Sequence, residues 1–438
     1  MNRSLRLDPQ KETSMDTPVK KHPSLPRPIQ GELKLDRSNQ LLAEARRLVP
    51  GVTQSMMKRP EMFALGAFPV FLAKGKGALV EDVDGQEYID FIGGLGANML
   101  GHNDPAVVNA IREHLEEGVL HSLPTPVEVS AAQTLVDLIP GAEMARFFKT
   151  GADATSAAVR LARHITGKQK IITVGYNGWH DHFMFDTPGV PAALAALTLR
   201  MPLFTPPDEP ALLASIEKNA SELALVLLSV PYNRPLTPAF LQQVRATCTA
   251  NNVLFALDEV VTGFRLAVGG AQEFFDVRAD FVTLSKSIAG GMPLSAIAGP
   301  AKHLSRLSEL QVSTTFGGEL LSLYVCDAVL KGYRDGAYIQ HLAHLGRKLR
   351  EGVNAQAEAA GSSLRVIGYD AIPFFLFAKD PTEHAKQMQP FQAGMARRGI
   401  LLRRDVTFLS TAHTEEQIDY AIEMTGEVLR SLAQPAAA

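Results

Sequence analysis

The chain has 438 residues, of which 46% are hydrophobic and 20% charged, and its formal charge is −3. That profile is globular and long enough for a large core in more than one domain; it excludes an electrostatic nucleic-acid binder, and no apolar run approaches the roughly 20 residues of a membrane span. The two cysteines, Cys248 and Cys326, offer neither a disulfide framework nor a zinc spacing, so no metal is expected and a reducing cytoplasm fits.

The polar start, dotted with Pro9, Pro18, Pro23, Pro26 and Pro28, predicts a disordered or loosely docked extension over residues 1–34, with no apolar core for a signal peptide. A short helix is expected from Leu41 to Val49, stopped by Pro50-Gly51. Ala78 to Phe91 reads as a hairpin turning at Asp84-Gly85, followed by the glycine cluster Gly93-Gly94-Leu95-Gly96 and by Gly101-His102. An amphipathic helix runs from Val127 to Ile139 and ends at Pro140-Gly141. Next, an apolar strand enters Thr150-Gly151-Ala152, and a helix starts at about Asp153. Free backbone amides at such a start make an anion cradle.

A strand over Ile171–Val174 leads into Gly175-Tyr176-Asn177-Gly178-Trp179-His180. Trp179, the single tryptophan, is either a flat ring for stacking on a planar group or an ordinary core residue. Leu223 to Val230 is a buried strand ending at Pro231, and a helix from about Pro238 to Ala250 leads to Val253–Leu257, the apolar run of a central parallel strand. That run ends in Asp258-Glu259-Val260. A carboxylate at the end of a buried strand is expensive unless paired, so Asp258 either meets a cation or caps a helix or turn.

The apolar run Phe281–Leu284 is followed by Lys286 and then by Gly290-Gly291. At the carboxyl end of a strand a lysine can be desolvated, which lowers its pKa and frees the amine to attack a carbonyl; otherwise it is a solvated loop lysine. Pyridoxal phosphate needs this combination, a lysine together with an acidic partner for its ring nitrogen. Beyond Val312–Gly318 the pattern alternates strand and helix: Phe374–Phe377, Thr382–Arg398, Ile400–Leu402, Phe408–Ser410, Glu415–Leu432. That predicts a smaller α+β domain. The expected division is 35–90 as the N-terminal part of the small domain, 91–330 as the large domain, and 331–438 as the rest of the small one.

DEVVTGF (258–264) followed by SKSIAGGMPLSAIAG (285–299) resembles the class III, or omega, aminotransferases, a fold-type I pyridoxal-phosphate family, with further motifs in family order from about Leu41 to Leu429. The resemblance implies an α/β fold with a large, mostly parallel sheet of the seven-stranded type plus a small α+β domain. It implies that Lys286 carries the cofactor and shuttles the proton, and that Asp258 holds the pyridine nitrogen protonated. Val260 would pack on one ring face, the amides of Gly151 and Ala152 would bind the phosphate, and Trp179 would stack. Thr315 would reach the neighbour's cofactor phosphate across a homodimer whose active sites are shared.

PGVTQSMMK (50–58) resembles the PGGVNSPVR segment of glutamate-1-semialdehyde aminomutases, with Lys58 where those enzymes carry a carboxylate-binding arginine. Lysine lacks the bidentate fork. Leu95 stands where aminomutases tend to have an aromatic residue facing substrate. Further departures from the family pattern are Ala152 for threonine, Val230 for glutamate, and Glu319-Leu320 for Asn-Pro. Arg403 and Arg404 are either substrate contacts or a solvated pair. The departures suggest an aminotransferase moving an amino group from a long-chain or polyol amine to a keto acid such as pyruvate by a ping-pong mechanism. The alternatives are a glutamate-1-semialdehyde 2,1-aminomutase and a cofactor-binding sensor without turnover.

Overall fold

A computed structural model of the chain describes residues 24–202 and 208–434. Most of the predicted extension, residues 1–23, lies outside the described residues. Of the remainder, the Arg27 amide donates to Glu87 at 3.1 Å and the Lys34 amide to Gln86 at 2.9 Å, so residues 24–34 run along the hairpin.

Seven strands form the large sheet: β1 (Met144–Phe148), β2 (Lys170–Val174), β3 (Thr198–Met201), β4 (Leu223–Ser229), β5 (Leu254–Glu259), β6 (Phe281–Leu284) and β7 (Ser295–Gly299). Their spatial order is β1-β7-β6-β5-β4-β2-β3. Only β7 runs against its neighbours; the other pairings are parallel. Every residue of β4 is buried, as its unbroken apolar run requires of a strand covered on both faces. Each such Leu or Val contributes roughly 1.5–3 kcal/mol relative to exposure. The register pairs Ser229 with Asp258 and Asp258 with Thr283. The carboxyl ends of β4, β5 and β6 therefore lie level, and the loops carrying Tyr232, Val260 and Lys286 leave the sheet along one edge.

A four-stranded sheet joins Leu72–Lys76, Leu79–Asp82 and Glu87–Asp90 to Ile400–Leu401, so it draws on sequence from both sides of the large sheet. The Asp84 carboxylate in the hairpin turn accepts from the Arg37 and Ser38 amides at 2.7 and 3.0 Å. It thereby caps the helix Asp36–Leu48 from outside. The helix is longer than the apolar pattern suggested because this cap lies elsewhere in the sequence. Phe408–Ser410, expected as a strand, is extended but forms no ladder; instead the Phe408 amide donates to the Phe91 carbonyl at 2.9 Å. No helix among the described residues is long and apolar enough to cross a membrane.

Candidate active site

Asp258 ends β5 and is 3% exposed. Its carboxylate accepts from Asn177 Nδ2 at 2.8 Å, the Val260 amide at 3.1 Å and Thr283 Oγ1 at 3.4 Å. Burial nevertheless pushes its pKa up, against those hydrogen bonds and the nearby Lys286 charge. Glu259 is also buried but points to the opposite face, as alternation along a strand dictates. There it accepts from the Ala271 amide at 2.5 Å and tops the short helix Gly270–Phe274. Of the two adjacent carboxylates, only Asp258 belongs to the Lys286 site.

Lys286 sits in the left-handed region at φ 49°. For a non-glycine residue that conformation persists only where the surroundings fix it. Ser287 Oγ donates to the Gly263 carbonyl at 2.8 Å, and Tyr333 OH donates to the Ser287 carbonyl at 3.0 Å. Gly290, at φ +53°, leaves no room for a side chain: a Cβ there would lie 2.3 Å from Val107. The Lys286 ammonium is pushed down to about 8, first by desolvation; Asp258 opposes the shift, while the positive charges of Arg265 and Arg403 add to it.

The helix α1 (Gly151–Thr166) follows β1. It begins two residues before the expected Asp153 because Thr150 is the N-cap and Asp153 closes a capping box: Asp153 Oδ2 accepts from the Thr150 amide at 2.8 Å. The amides of Gly151 and Ala152 then find no acceptor among the described residues. A Cβ on Gly151 would come within 2.9 Å of both Val260 methyls, so Val260 closes directly over the cradle. Ala152 is buried, its methyl 2.9 Å from where a Cβ on Gly178 would lie.

Two aromatic residues share the loop expected to carry the stacking ring. Trp179 is 66% exposed and meets His180 edge-on, with ring centroids 4.8 Å apart. Within the same loop, Tyr176 has its phenol pushed up, by desolvation first and by the Asp258 carboxylate second. Asn177 between them holds Asp258, and its own backbone carbonyl accepts from Thr155 Oγ1 at 2.6 Å. Gly175 at φ +81° and Gly178 at φ +126° turn the chain on either side of Tyr176 and Asn177, and Tyr176, like Trp179, is largely exposed, at 61%.

Sequence reasoning also missed two residues, the partly buried Tyr232 and the buried Arg265. Tyr232, two residues after Val230, has its phenol raised by burial and then by Asp258. Arg265 is 2% exposed and has no carboxylate partner among the described residues; its guanidinium donates to the Leu409 and Gly96 carbonyls at 2.9 and 2.7 Å. It ties the glycine cluster to the residues after Arg404. Its signal was the arginine closing DEVVTGFR.

Arg403 is 6% exposed and pairs with Asp405 at 2.9 Å, and its charge acts on both Lys286 and Tyr232. Arg404 is half-buried, and its carbonyl accepts from His384 Nε2 at 2.6 Å. Leu95 is half-buried and left-handed at φ 61°. Lys58 is exposed and lines a cavity of about 400 Å³ with apolar walls such as Phe63, Phe68 and Val70. Asn98, which lines the same cavity, also abuts Gly291 in the loop after Lys286. Thr315 is exposed. Two departures from the family pattern have structural causes. Val230 packs in the core at 1% exposure. Glu319 caps the helix Leu320–Tyr333, accepting from the Leu321 amide at 2.9 Å, and pairs with Lys149 at 2.9 Å.

These groups fit pyridoxal phosphate. Two free amides at a helix start suit a phosphate, a desolvated carboxylate suits a protonated ring nitrogen, and a lysine shifted to about 8 suits a carbonyl. Asn177 Oδ1 is buried beside Asp258 with no donor among the described residues, as a site built around a further group would leave it.

The sheet, the cradle and the lysine–aspartate pair define a fold-type I pyridoxal-phosphate transferase. The family model for class-III aminotransferases matches residues 63–187 and 233–404, and the chain belongs to that family. A glutamate-1-semialdehyde 2,1-aminomutase of Archaeoglobus fulgidus is 34% identical over 427 residues, covering 91% of this chain and 100% of the relative. That of Sorangium cellulosum is 34% identical over 424 residues, covering 90% and 96%. Among solved structures, the Sphingopyxis sp. MTA144 FumI protein with pyridoxal phosphate superposes at TM-score 0.85 and 25% identity, covering 90% of this chain and 96% of that one. A β-phenylalanine aminotransferase from Variovorax paradoxus superposes at 0.80 and 26%, covering 89% and 93%.

Proposed function

We propose that this enzyme uses pyridoxal phosphate to move an amino group on a substrate that carries a carboxylate, and the inward, buried Arg403 is the observation that carries the reading. When bound, the cofactor supplies an electron-withdrawing ring that stabilises negative charge beside the substrate nitrogen. Around it the chain supplies the rest. The Gly151 and Ala152 amides would bind the phosphate, Val260 would pack on one ring face, and Tyr176 would offer an aromatic ring beside it. Asp258 keeps the ring nitrogen protonated. Lys286, uncharged in an appreciable fraction of molecules near neutral pH, would hold the cofactor through its amine and then serve as the base that takes the proton from the substrate carbon. Arg403, already desolvated, orients the carboxylate with a planar fork that Lys58 lacks.

The names of the curated relatives favour intramolecular exchange, the 2,1-aminomutase reaction on glutamate 1-semialdehyde, over transfer from a long-chain or polyol amine. Two positions that suggested the amine reading have roles in the fold, Val230 in the core and Glu319 as a helix cap, and so weigh less for it. A second reading, transfer between a separate amine and a keto acid, keeps one specific support: Lys58 stands exposed at a cavity with apolar walls and lacks the bidentate fork that suits a carboxylate. The deciding experiment gives the holoenzyme glutamate 1-semialdehyde with no keto acid. Catalytic turnover to the 1-amino isomer upholds the aminomutase reading. A single half-turnover that resumes only on adding pyruvate sinks it and upholds the second. No reaction with any carboxylate substrate in either mode sinks both.

A homodimer belongs to the same proposal. Leu123 at 78%, Val129 at 72% and Phe316 at 59% exposure are large apolar groups left in water. They lie on segments that meet, since the Leu320 amide donates to the Val119 carbonyl at 2.9 Å. Thr315, beside Phe316, would reach the neighbour's cofactor phosphate. Light scattering that finds an active monomer at assay concentration refutes this arrangement.

A further inference from the structure

Three residues of α1, Ser156, Arg160 and Arg163, fall at i, i+4 and i+7, on one face of the helix. That face lines a cavity of about 550 Å³, with His180 and His182 opposite and Ser313-Thr314 along one side. The cradle for the cofactor phosphate lies at the start of the same helix, on Gly151 and Ala152, and neither residue lines this cavity.

The charges in the cavity are unbalanced. Arg160 donates to the Gln311 carbonyl at 2.9 Å and Arg163 to the Gln169 carbonyl at 2.8 Å. Neither guanidinium pairs with a carboxylate among the described residues. Each has five N–H donors, so most of the fork stays available. The one carboxylate in the lining, Asp153, is turned to the Thr150 amide at 2.8 Å. Ser156 Oγ lies 2.5 Å from His180 Nδ1 and 3.1 Å from His182 Nε2, so the hydroxyl joins two imidazoles in one chain. The positive field is felt inside. His182 is pushed down to about 4, by burial first and then by Arg163, His180 and Arg160, with Asp181 opposing.

We propose that this cavity is a second anion site, which takes the phosphoryl group of a small metabolite on Arg160, Arg163 and the Ser156–imidazole chain. A dianion matches two guanidiniums that lack a counter-charge, and their planar forks suit its oxygens. The volume exceeds one phosphate, so the body of a metabolite fits beside it. Thr314 lines the cavity next to Thr315, so occupancy acts one residue from the segment proposed to cross the dimer.

The test uses the cofactor-loaded enzyme, so that the cradle is already filled, and inorganic phosphate as the probe. Calorimetry at constant ionic strength, with chloride as the control, should show saturable binding of one phosphate per chain without loss of the visible absorption of the cofactor. The Arg160→Gln/Arg163→Gln pair should weaken that binding at least tenfold while leaving cofactor absorption intact, and Ser156→Ala should weaken it less. The His182 ring resonance should titrate at higher pH with phosphate present, in the native enzyme and not in the double variant. If the double variant loses cofactor or fails to fold, the His182 shift in the native enzyme still decides. Undiminished binding in the folded variant, binding only as the cofactor leaves, or a His182 titration indifferent to phosphate each overturns the proposal.

Discussion

The charge state of Lys286 is the most direct test of the site. Its ammonium is shifted from 10.5 to about 8, chiefly by desolvation. A pKa of about 8 leaves roughly one lysine in ten uncharged at pH 7, against about one in three thousand at the ordinary value, a gain of roughly 300-fold in reactive amine. The rate at which apoenzyme captures pyridoxal phosphate, followed by visible absorption, should therefore rise with pH through a midpoint near 8. Asp258→Asn removes the charge that favours the ammonium and should move the midpoint down. Arg403→Gln removes a charge that disfavours it and should move the midpoint up. Borohydride trapping and peptide mapping would confirm that the capture is at Lys286. The same shift acts on the stability of the apoenzyme. The folded chain holds this proton less tightly than the unfolded chain, so the lysine costs stability below pH about 8, and the cost is relieved as pH rises from about 8 to 10.5. A native midpoint near 10.5, or two variants that move the same way, refutes the desolvated-lysine reasoning.

Trp179→Ala should leave cofactor affinity within about twofold, while Tyr176→Ala should weaken it by about tenfold or more, the scale of removing one aromatic ring that packs on the cofactor; fluorescence titration of apoenzyme with pyridoxal phosphate reads both. Arg403→Gln should lower kcat/KM for a carboxylate substrate by about 30-fold or more, since removing a desolvated charge from its partner costs roughly 2–5 kcal/mol. The same change at the half-buried Arg404 should cost less than about threefold, and steady-state kinetics on one substrate panel compares the two. Glu319→Ala should lower stability by about 1–2 kcal/mol through removal of the cap. It should leave KM unchanged, as thermal unfolding beside a standard assay would show.

How much of the site was legible depended on whether its cause was local. Lys286 and Asp258 could be found because each closes an apolar strand, and strand ends in an open α/β sheet face the ligand crevice. Choosing between Asp258 and Glu259 needed the face of β5 that points to Lys286, which parity alone does not give. The stacking aromatic poses a choice of the same kind. Tyr176 and Trp179 are three residues apart in one loop and are exposed to 61% and 66%, so neither spacing nor burial chooses between them. Val230 and Glu319 looked like losses of active-site groups because a substitution has no visible partner in sequence. Lys149 lies 170 positions from Glu319, yet the pair closes at 2.9 Å. The two arginines show the limit most clearly. In a half-buried strand, alternate burial would have singled out one of Arg403 and Arg404, but Ile400, Leu401, Leu402 and Arg403 are all buried here. The segment leaves its two-residue strand immediately and is steered by the Asp405 ion pair, so no two-residue period marks the inward arginine. Resemblance to the family could point to this segment, but only the fold could choose between its two guanidiniums. That choice is made by the burial of Arg403 and by its ion pair with Asp405 at 2.9 Å, neither of which is visible in the sequence.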